Sequence, residues 1–266
     1  KEKHYLHQIA APRIVTDLSI DYYKAELNDI KEGLEEFGGV EITDEKLKAS
    51  VALYNETRRL IRELYALRME ENPVISGTDT LKITLAAASM PKEEFNELLE
   101  FFLAEAKNRK PITDYRARLM MIGSALDDPE YTKVIEGKGG LIVIDALCFG
   151  NRYLWEPVVL DDDDVLGSLA KSYINRPVCP RVVDTDKRAE LHDLLLKLYK
   201  EYKADGIIYP KLQNCVCWGG ETVFLHDIFK NADIPVLEVE REELMANVGQ
   251  LEVRTEAFIE MIEKED

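Results

Sequence analysis

The sequence predicts an α/β protein: an N-terminal helical region followed by a doubly wound, flavodoxin-like parallel sheet of about four strands. Three observations predict it. Residues 17–108 repeat apolar side chains at helix spacing and contain no strand pattern. After Pro111 the period changes to short, continuously apolar runs, at 118–123, 140–145, 205–209 and 234–239. Helix-like segments separate these runs, and strands that are apolar throughout belong to a parallel sheet covered on both faces. The chain therefore divides into a helical region, 1–110, the remainder of or link to a further N-terminal domain, and an α/β region, 111–266.

The elements follow in order. Tyr22, Leu27, Ile30, Leu34 and Phe37 recur at helix spacing, and Gly38-Gly39 ends the first helix. Thr43-Asp44-Glu45-Lys46 opens the second, whose apolar face runs through Leu47, Val51, Leu53, Tyr54, Leu60, Ile61, Leu64 and Leu67 until Asn72-Pro73. Ser76 to Ala88 forms a shorter helix. Pro91 suits the first position of a fourth, ending near Asn108. Arg118 to Gly123 is the first strand, and Asp127-Asp128-Pro129-Glu130 places acids at the next helix start, as the helix dipole favours. Gly140 to Asp145 is the second strand. Asp205 to Tyr209, the third, follows a helix from Lys187 to Tyr202. Ile234 to Val239, the fourth, follows a helix from Gly220 to Asn231, and Gly249 to Glu263 is the last helix.

Composition narrows the function. The 266 residues are 46% apolar, enough for a real core. With 34 basic against 51 acidic residues the net charge is −17, which argues against nucleic acid and against an anionic membrane as partners. No apolar run approaches the roughly 20 residues that span a bilayer. No leader peptide is evident, so the expected location is the cytoplasm. The chain opens on Lys1 in polar sequence, which reads as a cut end. Four cysteines, Cys148, Cys179, Cys215 and Cys217, do not make a disulfide framework at this length; free thiols or a metal site fit better.

The segment richest in chemistry is Asn214-Cys215-Val216-Cys217-Trp218-Gly219-Gly220-Glu221, between the third strand and the following helix. The carboxyl ends of parallel strands are where ligands collect, and a thiol there can bind metal or react. The second strand exits through Cys148, Arg152, Tyr153, Trp155 and Glu156, residue types that serve binding or packing equally. The first exits through Gly123-Ser124-Ala125-Leu126-Asp127-Asp128-Pro129, a loop that can offer amides to an anion or cap the next helix. The acids Asp161 to Asp164 read as a solvated loop and helix N-terminus, with a cation site as the alternative. His4, His7, His192 and His226 show no ligand spacing with the thiols, so structural zinc is not expected. His192 and His226 read as helix-surface residues. No Gly-x-Gly-x-x-Gly, Walker loop or Gly-x-Ser-x-Gly elbow occurs. The residues alone thus describe an acidic α/β protein with a thiol-containing ligand site at its strand ends.

Read in order, Ile75-Ser76-Gly77, Met90-Pro91-Lys92-Glu93-Glu94-Phe95, Gly123 to Pro129, Asp145 to Tyr153, Asp205-Gly206-Ile207-Ile208, the Cys215 segment through Glu221, and Gly249 to Glu260 resemble the 2-hydroxyacyl-CoA dehydratase D-component and benzoyl-CoA reductase family. The Trp-Gly-Gly-Glu run and the terminal Gly-Gln segment look nearer the reductase side. The resemblance implies a subunit of an oxygen-sensitive iron–sulfur enzyme of anaerobic metabolism. Such subunits pair with a homologous partner subunit and receive one low-potential electron from an ATP-dependent iron–sulfur activator protein. They act on an acyl-CoA or aroyl-CoA thioester, by 2-hydroxyacyl-CoA dehydration or ring reduction. Cys215 matches the family's late cluster-ligand cysteine, so the resemblance implies a [4Fe-4S] cluster whose remaining ligands lie outside this chain. Cys148 and Cys217 then serve as packing or neighbouring thiols. Ser124, Arg152, Tyr153, Trp218 and Glu221 are the expected lining of the thioester pocket. Two rivals remain: a double-cubane reductase of small molecules without coenzyme A, and a non-catalytic scaffold subunit without a complete cluster.

Overall fold

The structure, a computed structural model, describes residues 4–154, 156–176, 180–181, 185–245 and 247–264, with the side chains of Tyr153 and Leu154 outside that description. The expectations placed on Lys1, Cys179, Trp155 and the Tyr153 side chain therefore fall outside the described residues. The chain forms two compact units, residues 1–56 with 156–191, and residues 57–155 with 192–266. Compactness thus groups the chain differently from periodicity, because helices before residue 110 pack on the sheet.

The first unit contains α1 (Asp17–Gly38), the first half of α2 (Asp44–Ala66), α7 (Val165–Ile174) and the start of α8 (Thr185–Glu201). Thr16 caps α1 by accepting from the Ser19 amide at 3.1 Å, and Gly39, at φ +62°, closes its end. The Asn55 amide exchanges two 2.8 Å hydrogen bonds with the Val158 backbone. The acids at 161–164 form the loop and helix N-terminus that the pattern suggests. Asp164 caps α7 through the Gly167 amide and pairs with Lys24 at 2.8 Å, and Asp162 pairs with Lys48.

The second unit contains the rest of α2 and α8 with α3 (Gly77–Ser89), α4 (Lys92–Ala106), β1 (Ala117–Ile122), α5 (Pro129–Glu136), β2 (Gly140–Ala146), α6 (Asn151–Leu154), β3 (Gly206–Leu212), α9 (Val216–Asn231), β4 (Val236–Arg241) and α10 (Val248–Ile262). The four strands are all parallel, in the order β2-β1-β3-β4. This is the doubly wound order expected, with its topological switch between β1 and β3. Leu119, Met121, Ile142, Ile208 and Val239 pack on one face against Leu81, Tyr131, Ile135, Leu251, Phe258 and Ile259 from α3, α5 and α10. Tyr209, alternate to Ile208, faces the other way and meets Trp218 of α9, while Asp145 near the end of β2 is held by Tyr65 of α2.

Two devices fix this unit. Arg118, on the central strand, is buried and donates to the carbonyls of Arg68, Glu70, Glu71, Tyr202 and Lys203. Its guanidinium thereby ties the segment after α2 to the end of α8 without a carboxylate partner at that end. Gly77 lets α3 sit directly on β2, since a Cβ there would lie 2.4 Å from the Ile142 Cβ. Glu136 accepts from the Gly77 and Thr78 amides at 2.7 and 3.1 Å, placing negative charge at the α3 N-terminus.

Boundaries differ from the pattern in two places. The helix expected from Gly220 begins at Val216, because the Gly219 amide already donates to the Cys215 carbonyl at 2.8 Å. Packing of Trp218 outweighs the poor helix propensity of Gly219 and Gly220. The second helix ends at Ala66, before Asn72-Pro73, and turns occupy the interval.

Candidate functional site at the strand ends

β1, β2, β3 and β4 all deliver their chains to the same edge of the sheet. Gly123, at φ +148°, ends β1 in a conformation L side chains rarely adopt, and a Cβ there would lie 3.2 Å from the Pro210 carbonyl. Ser124 follows, 4% exposed, with its Oγ unpartnered and its carbonyl accepting from the Cys148 amide at 3.5 Å.

After β2, Asp145 organises the exit. Its Oδ1 accepts from the Asn151 amide at 3.0 Å, and its Oδ2 accepts from Tyr65 Oη at 2.5 Å. The loop so folded presents half-buried Cys148, whose sulfur accepts from Arg152 Nη2. The Arg152 guanidinium also lies 5.4 Å from the Trp218 ring centroid, and its Nη1 has no partner.

After β3, Asn214 adopts the left-handed conformation, φ +62°, and turns the chain so that Cys215 becomes the N-cap residue of α9. Its half-buried thiol makes no capping hydrogen bond. Trp218, one turn on, is 1% exposed and packs edge-on against Tyr209 at 5.8 Å. Tyr209 Oη donates to the Trp218 carbonyl at 2.7 Å, while the indole Nε1 has no partner. Burial pushes Tyr209 up to about 12.

The structure thus joins Ser124, Cys148, Arg152 and Trp218 by successive contacts, with Cys215 at the start of the same helical turn as Trp218. Glu221 lies deeper in α9, 2% exposed, with Oε1 2.6 Å from His192 Nε2 of α8. His192 is therefore a part-buried hydrogen-bond partner of a carboxylate and not the helix-surface residue expected; that partner is 29 residues away in sequence. His226 is exposed, as expected. Among the described residues no three His, Cys, Asp or Glu side chains are arranged to hold a metal ion, and no helix is long and apolar enough to cross a membrane.

Sequence reasoning missed Arg241 and Tyr131. Arg241 ends β4, where its Nη2 donates to the Ala125 carbonyl and its Nε has no partner. Applying to the fourth strand the strand-end rule used for the third would have singled it out. Tyr131 sits at the start of α5, 4% exposed, its hydroxyl also unpartnered. A cavity of about 370 Å³ lies at the other end of β4, lined by Phe229, Pro235, Val236 and Met261, and gathers no thiol.

The profile of the family described as "2-hydroxyglutaryl-CoA dehydratase, D-component" matches residues 1–262. A benzoyl-CoA reductase subunit of Thauera aromatica is 29% identical over 238 residues, 89% of this chain and 61% of the relative. The (R)-phenyllactyl-CoA dehydratase beta subunit of Clostridium sporogenes is 25% identical over 91% of this chain and 64% of the relative. The beta subunit of (R)-2-hydroxyglutaryl-CoA dehydratase from Acidaminococcus fermentans is 24% identical over 88% and 62%. The chain spans about three fifths of the length of these relatives.

Proposed function

This chain belongs to the 2-hydroxyglutaryl-CoA dehydratase D-component family, and on that premise we propose that it is part of a subunit of an oxygen-sensitive iron–sulfur enzyme acting on an acyl-CoA or aroyl-CoA thioester with low-potential electrons. The observation that carries the reading is the position of Cys215. Its thiol stands at the carboxyl end of β3, beside the switch point, on the helical turn that bears Trp218. Thiolates are the ligands of such clusters, and a [4Fe-4S] cluster takes four. The described residues do not by themselves fit a complete site, so in this reading Cys215 is one ligand and the others come from outside this chain.

The neighbouring residues have separate tasks. Ser124 and Arg152 carry donors without acceptors in the protein; they would bind the thioester carbonyl or a coenzyme A phosphate. Trp218 supports Arg152 from below, and Asp145 fixes the loop that carries it. Tyr153 belongs to the same short helix, α6. Glu221, held by His192, sets the position of α9 under the pocket. The relatives are named as subunits, which supports assembly with a homologous partner subunit. An ATP-dependent iron–sulfur activator would supply the electron, in the cytoplasm.

The test is iron and sulfide per chain after anaerobic purification, alone and with the partner subunit, with Cys215→Ala as control. Cubane iron that is lost in Cys215→Ala supports the reading. A second reading, a non-catalytic scaffold subunit, is favoured by the lack of three converging ligands among the described residues. Absence of iron in every preparation would leave it standing. The double-cubane alternative separates from both by binding no coenzyme A thioester.

A further inference from the structure

Five buried donors without acceptors lie at one edge of the sheet. Ser124 Oγ, Tyr131 Oη, Arg152 Nη1, Trp218 Nε1 and Arg241 Nε are all buried and unpartnered. Each follows the carboxyl end of a strand: Ser124 and Tyr131 after β1, Arg152 after β2, Trp218 after β3, and Arg241 at the end of β4. Burying a donor without an acceptor is costly. Five at one edge therefore point to an acceptor that the protein itself does not provide.

Arg241 is the centre of one half of this group. Its Nη2 donates to the Ala125 carbonyl and so holds the β1–α5 loop, while its Nη1 donates to the carbonyl of the adjacent Glu242. Burial makes its charged form less favourable, and Tyr131, Asp127, Cys215 and Asp128 are the groups acting on it. None of them forms an ion pair with it: Asp128 is engaged by the Glu130 amide at 3.0 Å, and Asp127 is exposed. Tyr131 is pushed up to about 12, chiefly by burial, so at neutral pH it keeps a proton to donate. Ser124 adjoins Ala125, whose carbonyl Arg241 grips.

We infer that Arg241, with the hydroxyls of Tyr131 and Ser124, forms an oxyanion subsite at the carboxyl end of β1 and β4. A positive charge flanked by donors takes an acceptor-only anion, and the crevice beside the switch point is where a doubly wound sheet binds one. A coenzyme A phosphate and a carboxylate of the acyl group share that chemistry. That the anion belongs to a coenzyme A thioester rests on the function proposed above; the subsite itself rests on Arg241, Tyr131 and Ser124.

The test is calorimetric titration of the purified full-length protein with inorganic pyrophosphate, coenzyme A, butyryl-CoA and glutarate. The variants are Arg241→Gln, Tyr131→Phe and Ser124→Ala, with exposed Arg116→Gln as a charge control. Arg241→Gln is expected to weaken the bound anion at least tenfold, whereas Arg116→Gln changes it less than twofold. Loss of pyrophosphate and coenzyme A binding identifies phosphate as the source; loss of glutarate binding alone identifies a carboxylate. Tyr131→Phe and Ser124→Ala remove only a hydroxyl without a partner, so they keep the subsite testable if Arg241→Gln does not fold. Each is expected to raise the melting temperature of the free protein while weakening the anion, a trade that a purely structural hydroxyl would not show. Wild-type affinity in Arg241→Gln, or no oxyanion bound by the wild type, overturns the inference. Pyrophosphate bound without any coenzyme A thioester keeps the subsite and overturns the thioester reading.

Discussion

His192 Nε2 lies 2.6 Å from Glu221 Oε1, with the two side chains 13% and 3% exposed. The contact links α8 to α9 beneath the turn that carries Trp218. A double-mutant cycle with His192→Phe and Glu221→Leu, read by urea denaturation, should give a coupling of about 1–3 kcal/mol. Additive single-mutant effects would mean that the two groups do not support each other.

Asp145 is the second anchor. Tyr65 Oη donates to it at 2.5 Å, Arg68 Nη1 lies 3.5 Å away, and the Asn151 amide caps it. Asp145→Ala leaves the buried Arg68 without its countercharge, a loss of about 3–5 kcal/mol. It also frees the β2–α6 loop, so alkylation of Cys148 should speed up. Unchanged urea midpoint and unchanged Cys148 alkylation would refute this role.

Burial, the largest cause in each case, pushes Tyr131, Tyr199, Tyr202 and Tyr209 up to about 12, and Tyr65 well above 10. A raised folded-state value means stability that is complete below about pH 10, the ordinary tyrosine value, and is lost as pH rises towards 12. Absorbance at 295 nm should show the exposed tyrosines ionising first, and these five together with alkaline unfolding. Smooth ionisation of all tyrosines near pH 10, with the fold intact, would contradict it.

Asp164 caps α7 and pairs with Lys24, and the Lys24 hydrogen bond, then the Gly167 amide, hold its carboxyl below the usual range. The pair is over 40% exposed on both sides and adds little once screened. The cap itself is worth about 1 kcal/mol. Its contribution is present above the ordinary aspartate value and disappears as pH falls through the depressed one. Asp164→Ala should therefore lower the melting temperature at pH 7 and change it little at pH 2; equal effects at both would exclude the cap as the cause.

Much of this was legible in the chain. Continuous apolar runs marked β1 to β3, because a parallel strand buried on both faces has no polar phase, and the run 234–239 marked β4, which is half-buried at the sheet edge. Asn214 and Cys215 declared a strand end, and Ser76, Asp128 and the 161–164 acids declared helix starts through capping chemistry. What stayed hidden were the partners. Nothing near His192 in sequence says that its neighbour is Glu221, and Arg241 looks like an ordinary charge after a strand. Cys148 and Arg152, four residues apart, could serve packing or binding until the loop was folded around Asp145.

The sequence by itself determined the order of elements, the parallel α/β class and the strand-end position of Cys215, because periodicity, caps and breakers are local properties of the chain. Only the tertiary structure decided that the strands run β2-β1-β3-β4, and therefore which of the strand-end residues Ser124, Cys148, Arg152, Trp218 and Arg241 become neighbours. Strand neighbours are chosen by side-chain packing and by backbone hydrogen bonds between residues far apart in sequence, and neither leaves a local trace.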